Sequence, residues 1–280
     1  MATTEEARAC LAGIPDLSVS TGAPLSRYTR FGIGGPADLY AETGDVEAFI
    51  AALAAARASG IPTVVIGGGT NLVVSDRGFR GIVLRYRGDR LMAAGERVIA
   101  DAGAVLQDLV DFTIERGLQG LETLAGIPGS VGAAVYGNAG AYGHSLSERV
   151  IGVRFHDGRE IRAFTNEECR FHYRESIFKR HKDWIVFSIE LLLEPADPAR
   201  LRETAAGILK VRNEKFPVTM KCAGSIFKNL LLRDLPPAVA AEVPPARCAR
   251  ARSPPPGFWS RWAPRGAGAA TFTWPPITPT

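Results

Sequence analysis

The chain has 280 residues, enough for about two domains at the usual ~150 residues each. Its 46% hydrophobic and 22% charged content is that of an ordinary globular protein, which excludes an acidic disordered chain, a collagen-like chain and a coiled coil. The net charge of +4 has a local origin: residues 244–280 hold five arginines and no Asp, Glu or Lys, so the remainder carries −1 and gives no sign of nucleic acid binding.

Cys10, Cys169, Cys222 and Cys248 are scattered, with no CxxC pair, so reduced thiols are expected and a disulfide framework or metal site is not. The N-terminus MATTEEARAC is acidic and lacks the basic-then-apolar pattern of a signal peptide. No apolar run approaches the roughly 18 residues of a membrane span. A cytoplasmic protein without membrane partners is the expectation.

In chain order, residues 1–26 read as a helical turn or two and a loop. Asp45 takes the N-cap of a helix in which Val46, Phe49, Ile50 and Leu53 recur at helical spacing, closed by Gly60. Thr63-Val64-Val65-Ile66 is a β-branched strand running into three glycines, and Ile82-Val83-Leu84 and Val98-Ile99-Ala100 read as further strands. Leu106, Leu109, Val110 and Ile114 predict a second helix stopped at Gly117. Glycine-rich ground follows from Gly120 to Gly143. Ile151 to Arg162 reads as a hairpin turning at Asp157-Gly158, Trp184 to Leu193 as a strand, and Pro198 to Val211 as a third helix. Helices and short strands alternate irregularly, without an internal repeat, so the class is α+β.

Four segments carry candidate chemistry. Gly67-Gly68-Gly69-Thr70-Asn71-Leu72 follows a strand. Successive glycines let backbone N–H groups converge on an anion, which suits a pyrophosphate; a tight turn between strands is the plainer reading. No Gly-Lys-Ser/Thr follows, and LVVSD continues as strand, so neither a P-loop nor a dinucleotide fingerprint of the Rossmann kind is present. The second segment runs from Gly126 through Pro128, Ser130, Val131 and Gly132 to Asn138, Gly140 and Ala141; its small residues suit backbone lying flat against a large ligand. In the third, Phe171 to Ser176, Arg174 could hold a carboxylate through its planar fork or simply form a surface pair with Glu175. The fourth joins Arg212-Asn213-Glu214-Lys215 to Gly224-Ser225-Ile226-Phe227-Lys228-Asn229, a hydroxyl at a turn with a cation and an amide nearby. Without a GxSxG elbow, an acyl-enzyme hydrolase is disfavoured.

In order and spacing these segments resemble the UDP-N-acetylenolpyruvoylglucosamine reductase family, flavoenzymes of peptidoglycan synthesis. Tyr28-Thr29-Arg30-Phe31-Gly32-Ile33-Gly34-Gly35-Pro36-Ala37 looks like the family's TFxIGGPA stretch, GGGTNLVVSDRGF and GIPGSVGAAVYGNAGAYG like its two flavin loops, and YRES-IFK and AGSIFKN like its active-site segments. The resemblance spans roughly Leu25 to Pro244. It implies an α+β fold: a two-subdomain FAD-binding fold of the vanillyl-alcohol-oxidase (PCMH) type over residues 27–197, after an N-terminal segment 1–26, and a truncated α/β substrate domain over 198–246. It also implies non-covalent FAD on Gly67, Gly68, Gly69, Thr70, Asn71, Leu72, Gly126, Pro128, Ser130, Val131, Gly132, Asn138, Gly140 and Ala141, with NADPH as reductant.

The implied reaction adds hydride to C3 of the enolpyruvyl ether and a proton to C2, giving UDP-N-acetylmuramate. Arg174 would hold the carboxylate and stabilise the enolate, Ser225 would supply the proton, and Tyr173, Arg212, Lys215 and Asn229 would touch the substrate. The partners implied are the enolpyruvyl UDP-sugar and NADPH, on a monomer. The absence of a tyrosine-bearing insertion between Leu193 and Arg212 points to the shorter type II form. Another FAD oxidase of the same superfamily is the rival reading.

Two departures stand out. The family's KNP is here Lys228-Asn229-Leu230, and its catalytic glutamate near the C-terminus has no counterpart, since no acidic residue follows Glu242. Residues 247–280 are a Pro-, Arg- and Trp-rich tail without periodicity, expected to be disordered. Back-translated with GC-rich codons and read two bases on, the stretch from Phe258 gives LEQVGAKGRGCGDIHVAAYHAN, which looks like the family's C-terminal segment. A one-base slip near Arg247–Cys248 is the expectation, with a natural, proline-rich disordered tail as the plainer alternative; the slip would leave a catalytically impaired FAD-binding remnant as the alternative function.

Overall fold

The computed structural model describes residues 2–217, 219–224 and 236–242. They fall in two compact units, Met1–Leu230 and Leu231–Thr280. In the second, the described part is the short helix α7 (Pro237–Glu242). The expectations for Ser225, Asn229 and the tail lie outside the described residues.

The first unit is built on two sheets. The first contains β1 (Ser18–Pro24), β2 (Pro36–Thr43), β3 (Thr63–Ile66) and β4 (Phe79–Tyr86) in the order β1-β2-β4-β3. β1 runs antiparallel to β2, while β2 and β3 both run parallel to β4. Alternation along the central strands sets the two faces. Leu39, Ala41, Ile82 and Leu84 pack against α1 (Thr4–Ala12) and α2 (Val46–Ser59), while Tyr40 and Val83 face a smaller cluster with Ala23, Leu25 and Tyr28. As expected, Asp45 caps α2, its carboxylate accepting from Ala48 N at 2.8 Å, and Gly60 closes it with φ +69°.

The second sheet is antiparallel throughout. It orders β11 (Ile161–Thr165), β10 (Val150–His156), β12 (Ile185–Leu192), β6 (Arg97–Asp101) and β5 (Leu91–Ala94) as β11-β10-β12-β6-β5. Its core takes in α3 (Leu106–Glu115), α4 (Val131–Tyr136), the single turn α5 (Ile177–Arg180) and one side of α6 (Pro198–Lys215), through Leu106, Val131, Phe178, Leu201 and Ala205. Short pairs complete the chain: β7 (Leu118–Gln119) with β13 (Glu194–Pro195), and β8 (Gly140–Ala141) with β9 (His144–Ser145). Phe49, Tyr86 and Phe187 meet edge to face between the sheets at centroid distances of 5.1–5.8 Å, tying the two halves into one unit.

Three expectations change. Residues 18–24, read as loop, form edge strand β1. Its side chains are mostly exposed, so no apolar alternation announces it, and backbone pairing to β2 holds it. LVVSD does not continue as strand: residues 72–75 cross irregularly over the small cluster, with the Ser75 carbonyl accepting from Gly35 N at 2.9 Å. α6 runs on to Lys215, because no breaker precedes Pro217 and Arg212 and Lys215 suit the negative end of the helix dipole.

Candidate active site

The two glycine segments, about sixty residues apart, meet face to face. A Cβ on Gly68 would stand 3.3 Å from Gly129 Cα, one on Gly67 3.0 Å from Ser130 Oγ, and one on Gly129 3.0 Å from Thr70 Oγ1. Thr70 Oγ1 donates to the Pro128 carbonyl at 3.3 Å, pinning one loop to the other. Gly69 is required on two counts: its φ is +62°, and any side chain would overlap the Tyr28 carbonyl oxygen. Leu72 lines a 240 Å³ apolar cavity with Tyr28, Ile66 and Val83.

Among the described residues, the N–H groups of Gly68, Gly69 and Thr70 donate to no protein acceptor. Those of Val131 and Gly132 are already used, on the Ala104 and Ala102 carbonyls at 2.9 and 2.8 Å. Val131 and Gly132 therefore fix the second loop to the sheet, while Gly67 to Thr70 supply the open backbone. Ser130 caps α4 by accepting from Ala133 N.

The third segment forms a small hairpin. His172 and Glu175 exchange backbone hydrogen bonds of 3.0 and 3.1 Å, and Arg174 sits between them in the left-handed region at φ +58°, a position usually given to Gly or Asn. The hairpin is bolted to residues 136–140. Ser176 Oγ donates to the Tyr136 carbonyl at 2.8 Å, Asn138 Nδ2 to the His172 carbonyl at 3.0 Å, and Arg174 Nη2 to the Gly140 carbonyl at 2.8 Å. The Asn138 carboxamide is thus spent on bracing, its oxygen accepting from Ser147 N at 3.2 Å. Tyr173 is exposed, its ring 5.5 Å from the Arg174 guanidinium.

α6 delivers Arg212 to the same place. Gly126, at φ +74°, leaves room for it: a Cβ there would come within 3.0 Å of Arg212 Cδ and Nε. Among the described residues, Arg212 Nε is buried without a hydrogen-bond partner. Burial pushes the Arg212 pKa down, and the positive charges of Arg30 and Arg174 push the same way, against the support of Tyr142. A guanidinium stays charged regardless, so an orphaned buried N–H with two further cations nearby calls for an anion. Lys215 lies half-buried one helical turn on. Gly224, immediately before Ser225, lies against Asn71, its Cβ position 3.3 Å from Asn71 Oδ1.

These features fit FAD: open backbone for a pyrophosphate, flanked by glycines that a Cβ would close. Sequence reasoning gave no role to Arg30, Tyr142 or Lys179. All three stand within the family-like stretches, Arg30 in the TFxIGGPA-like one, Tyr142 in GNAGAYG and Lys179 in YRES-IFK, a signal that was there to use; the fold adds that Tyr142 lies by Arg212 and Lys179 by Arg174.

A family model for the FAD binding domain matches residues 37–160. The UDP-N-acetylenolpyruvoylglucosamine reductase of Solibacter usitatus is 68% identical over 234 residues, covering 84% of this chain and 75% of its own length. The enzyme of that name from Rubrobacter xylanophilus is 41% identical over 211 residues, covering 74% and 70%. Among solved structures, UDP-N-acetylenolpyruvylglucosamine reductase (MurB) from Thermus caldophilus superposes with a TM-score of 0.63 at 30% identity, covering 76% of this chain and 75% of its own. BBE-like 1 from Physcomitrella patens, at 15% identity and a TM-score of 0.53, covers 69% of this chain and 44% of its own, a likeness of fold alone. The chain belongs to the UDP-N-acetylenolpyruvoylglucosamine reductase family, on an α+β FAD-binding fold.

Proposed function

We propose that the chain is an FAD-dependent reductase that converts UDP-N-acetylenolpyruvoylglucosamine to UDP-N-acetylmuramate at the expense of NADPH. The observation that carries this reading is the convergence of Arg174, Arg30 and Arg212 beside the glycine loops, with Arg212 Nε buried and unpartnered among the described residues. When bound, FAD supplies hydride transfer, with NADPH as the reductant. Gly67 to Thr70 would hold its pyrophosphate through backbone N–H groups, and Gly129 would leave the facing loop without a side chain opposite Thr70.

Arg174 takes the enolpyruvyl carboxylate and stabilises the enolate that forms as C3 is reduced. Ser225 gives its hydroxyl proton to C2. Arg212, Lys215, Tyr173 and Asn229 orient the substrate and its diphosphate. The division into an FAD-binding part (27–197) and a substrate-binding part (198–246), the monomeric state and the cytoplasmic location belong to the same proposal. Among the described residues no helix is long and apolar enough to cross a membrane.

The test is NADPH oxidation by the purified flavoprotein. It should depend on the enolpyruvyl UDP-sugar and yield UDP-N-acetylmuramate; NADPH oxidation indifferent to that sugar would defeat the proposal.

A further inference from the structure

We propose that Lys179 is a positioning residue for Arg174, anchoring the turn that carries it by gripping its backbone carbonyl. The proposal rests on the reading of Arg174 as the carboxylate-binding group.

Arg174 occupies a conformation its side chain disfavours, at φ +58°. Its direction depends on two peptide planes. The one before it sets its φ; the one after it, between Arg174 and Glu175, sets its ψ. That second peptide is held at both ends: the Glu175 N–H donates to the His172 carbonyl at 3.1 Å, and the Arg174 carbonyl accepts from Lys179 Nζ at 2.7 Å. Asn138 Nδ2 secures the same His172 carbonyl. Without Lys179 the Arg174 carbonyl loses its side-chain anchor, and the turn is freer to swing the arginine away from the Gly140 carbonyl, which Nη2 meets at 2.8 Å.

The lysine is itself well placed for this. It stands on the single turn α5, whose Ile177 and Phe178 are buried in the main core, so its stem rises from a fixed base. Its ammonium is half-covered, 3.8 Å from a Glu175 carboxylate oxygen and 6.0 Å from the Tyr136 ring centroid. A charged donor makes a stronger hydrogen bond than a neutral one, and here it spends that strength on a main-chain oxygen within the substrate-facing turn. A structural surface lysine would point to solvent; this one folds back five residues onto the functional arginine.

The test compares wild type, Lys179→Met and Lys179→Arg holoproteins. Methionine keeps most of the stem and removes the donor; arginine restores a charged donor with different reach. With FAD bound, Lys179→Met should leave flavin reduction by NADPH within about 2-fold of wild type. Reoxidation by the enolpyruvyl UDP-sugar should slow roughly 10–100-fold, the scale of a misplaced catalytic group. Lys179→Arg should recover much of that loss. Crystal structures give a readout independent of turnover: in Lys179→Met, the Arg174 carbonyl should move from its place and Nη2 should lose its bond to Gly140. Unchanged Arg174 geometry would overturn the proposal, as would equal loss in both half-reactions. A rise in KM for the sugar with Arg174 still in place would mean that Lys179 touches substrate directly, and would also overturn it. If wild type itself cannot be reoxidised by the sugar, the functional reading fails while the crystal structures still decide the positioning claim.

Discussion

Arg174 and Ser225 divide the proposed chemistry between charge and proton. A guanidinium offers two parallel N–H groups to a carboxylate, and Arg174 has one nitrogen committed to Gly140, which fixes the plane of the fork. Arg174→Lys replaces the fork with a point charge on a freer stem. Reoxidation of reduced flavin by the sugar should fall by about 10²-fold or more, consistent with loss of one oxyanion-stabilising group, while flavin reduction by NADPH stays near wild type. Stopped-flow absorbance of the flavin separates the two. Ser225→Ala should cost roughly 10²–10⁴ in the same half-reaction, the usual worth of a positioned proton donor. If C2 protonation instead keeps pace in D2O-labelled product analysis, Ser225 is not the donor. Arg174 was recognisable in the sequence only through its neighbours. Nothing in YRES says that the arginine adopts positive φ, or that the bond exchange between His172 and Glu175 frames it.

Glu42 joins the strands of the first sheet. Its carboxylate accepts from Tyr40 Oη at 2.6 Å on β2 and from Arg87 Nη1 at 2.8 Å just past β4, with Arg85 Nη1 at 3.9 Å. Burial alone would raise the Glu42 pKa; the Tyr40 and Arg87 hydrogen bonds and the two guanidinium charges outweigh it and hold the pKa below the usual carboxylate value. A depressed folded pKa contributes stability above the unfolded pKa, and that contribution is lost as pH falls through the folded value. Glu42→Gln should therefore destabilise the protein by about 1–2 kcal/mol at pH 7. The difference from wild type should shrink as pH drops below about 4, measured by urea denaturation at each pH. A difference that stays constant from pH 7 to 3 would assign the effect to shape rather than charge. Elements of this kind were legible to different degrees. α2, with its cap, apolar stripe and closing glycine, could be read from local pattern alone. β1 could not, because an edge strand with mostly exposed side chains is defined by the partner it pairs with and not by its own alternation.

At the scale of the molecule, the glycine segments explain both what the sequence revealed and what it withheld. The first alone allowed a tight turn and the second a flexible loop, and their shared order suggested a cofactor. Only the fold sets Gly68 against Gly129 and leaves the N–H groups of Gly68, Gly69 and Thr70 without an acceptor among the described residues. They are free to take up a pyrophosphate, so the protein should be measurably more stable with FAD than without it. A ligand that binds only the folded state stabilises by RT ln(1 + [L]/Kd), about 2.7 kcal/mol at a hundredfold excess over Kd. For a chain of this size that is a rise of roughly 5–10 °C in melting temperature. The purified protein should be yellow, and acid or heat should release the flavin, since no covalent link is expected. After stripping, added FAD should restore both the colour and the melting temperature. FMN, which lacks the adenylate half and the diphosphate bridge, should restore less, because the open backbone at Gly67 to Thr70 is the part suited to a pyrophosphate. Equal stabilisation by FMN and FAD would relocate binding to the isoalloxazine end of the site. A colourless protein whose melting temperature ignores both would mean that the paired glycine loops pack for their own sake and hold no flavin.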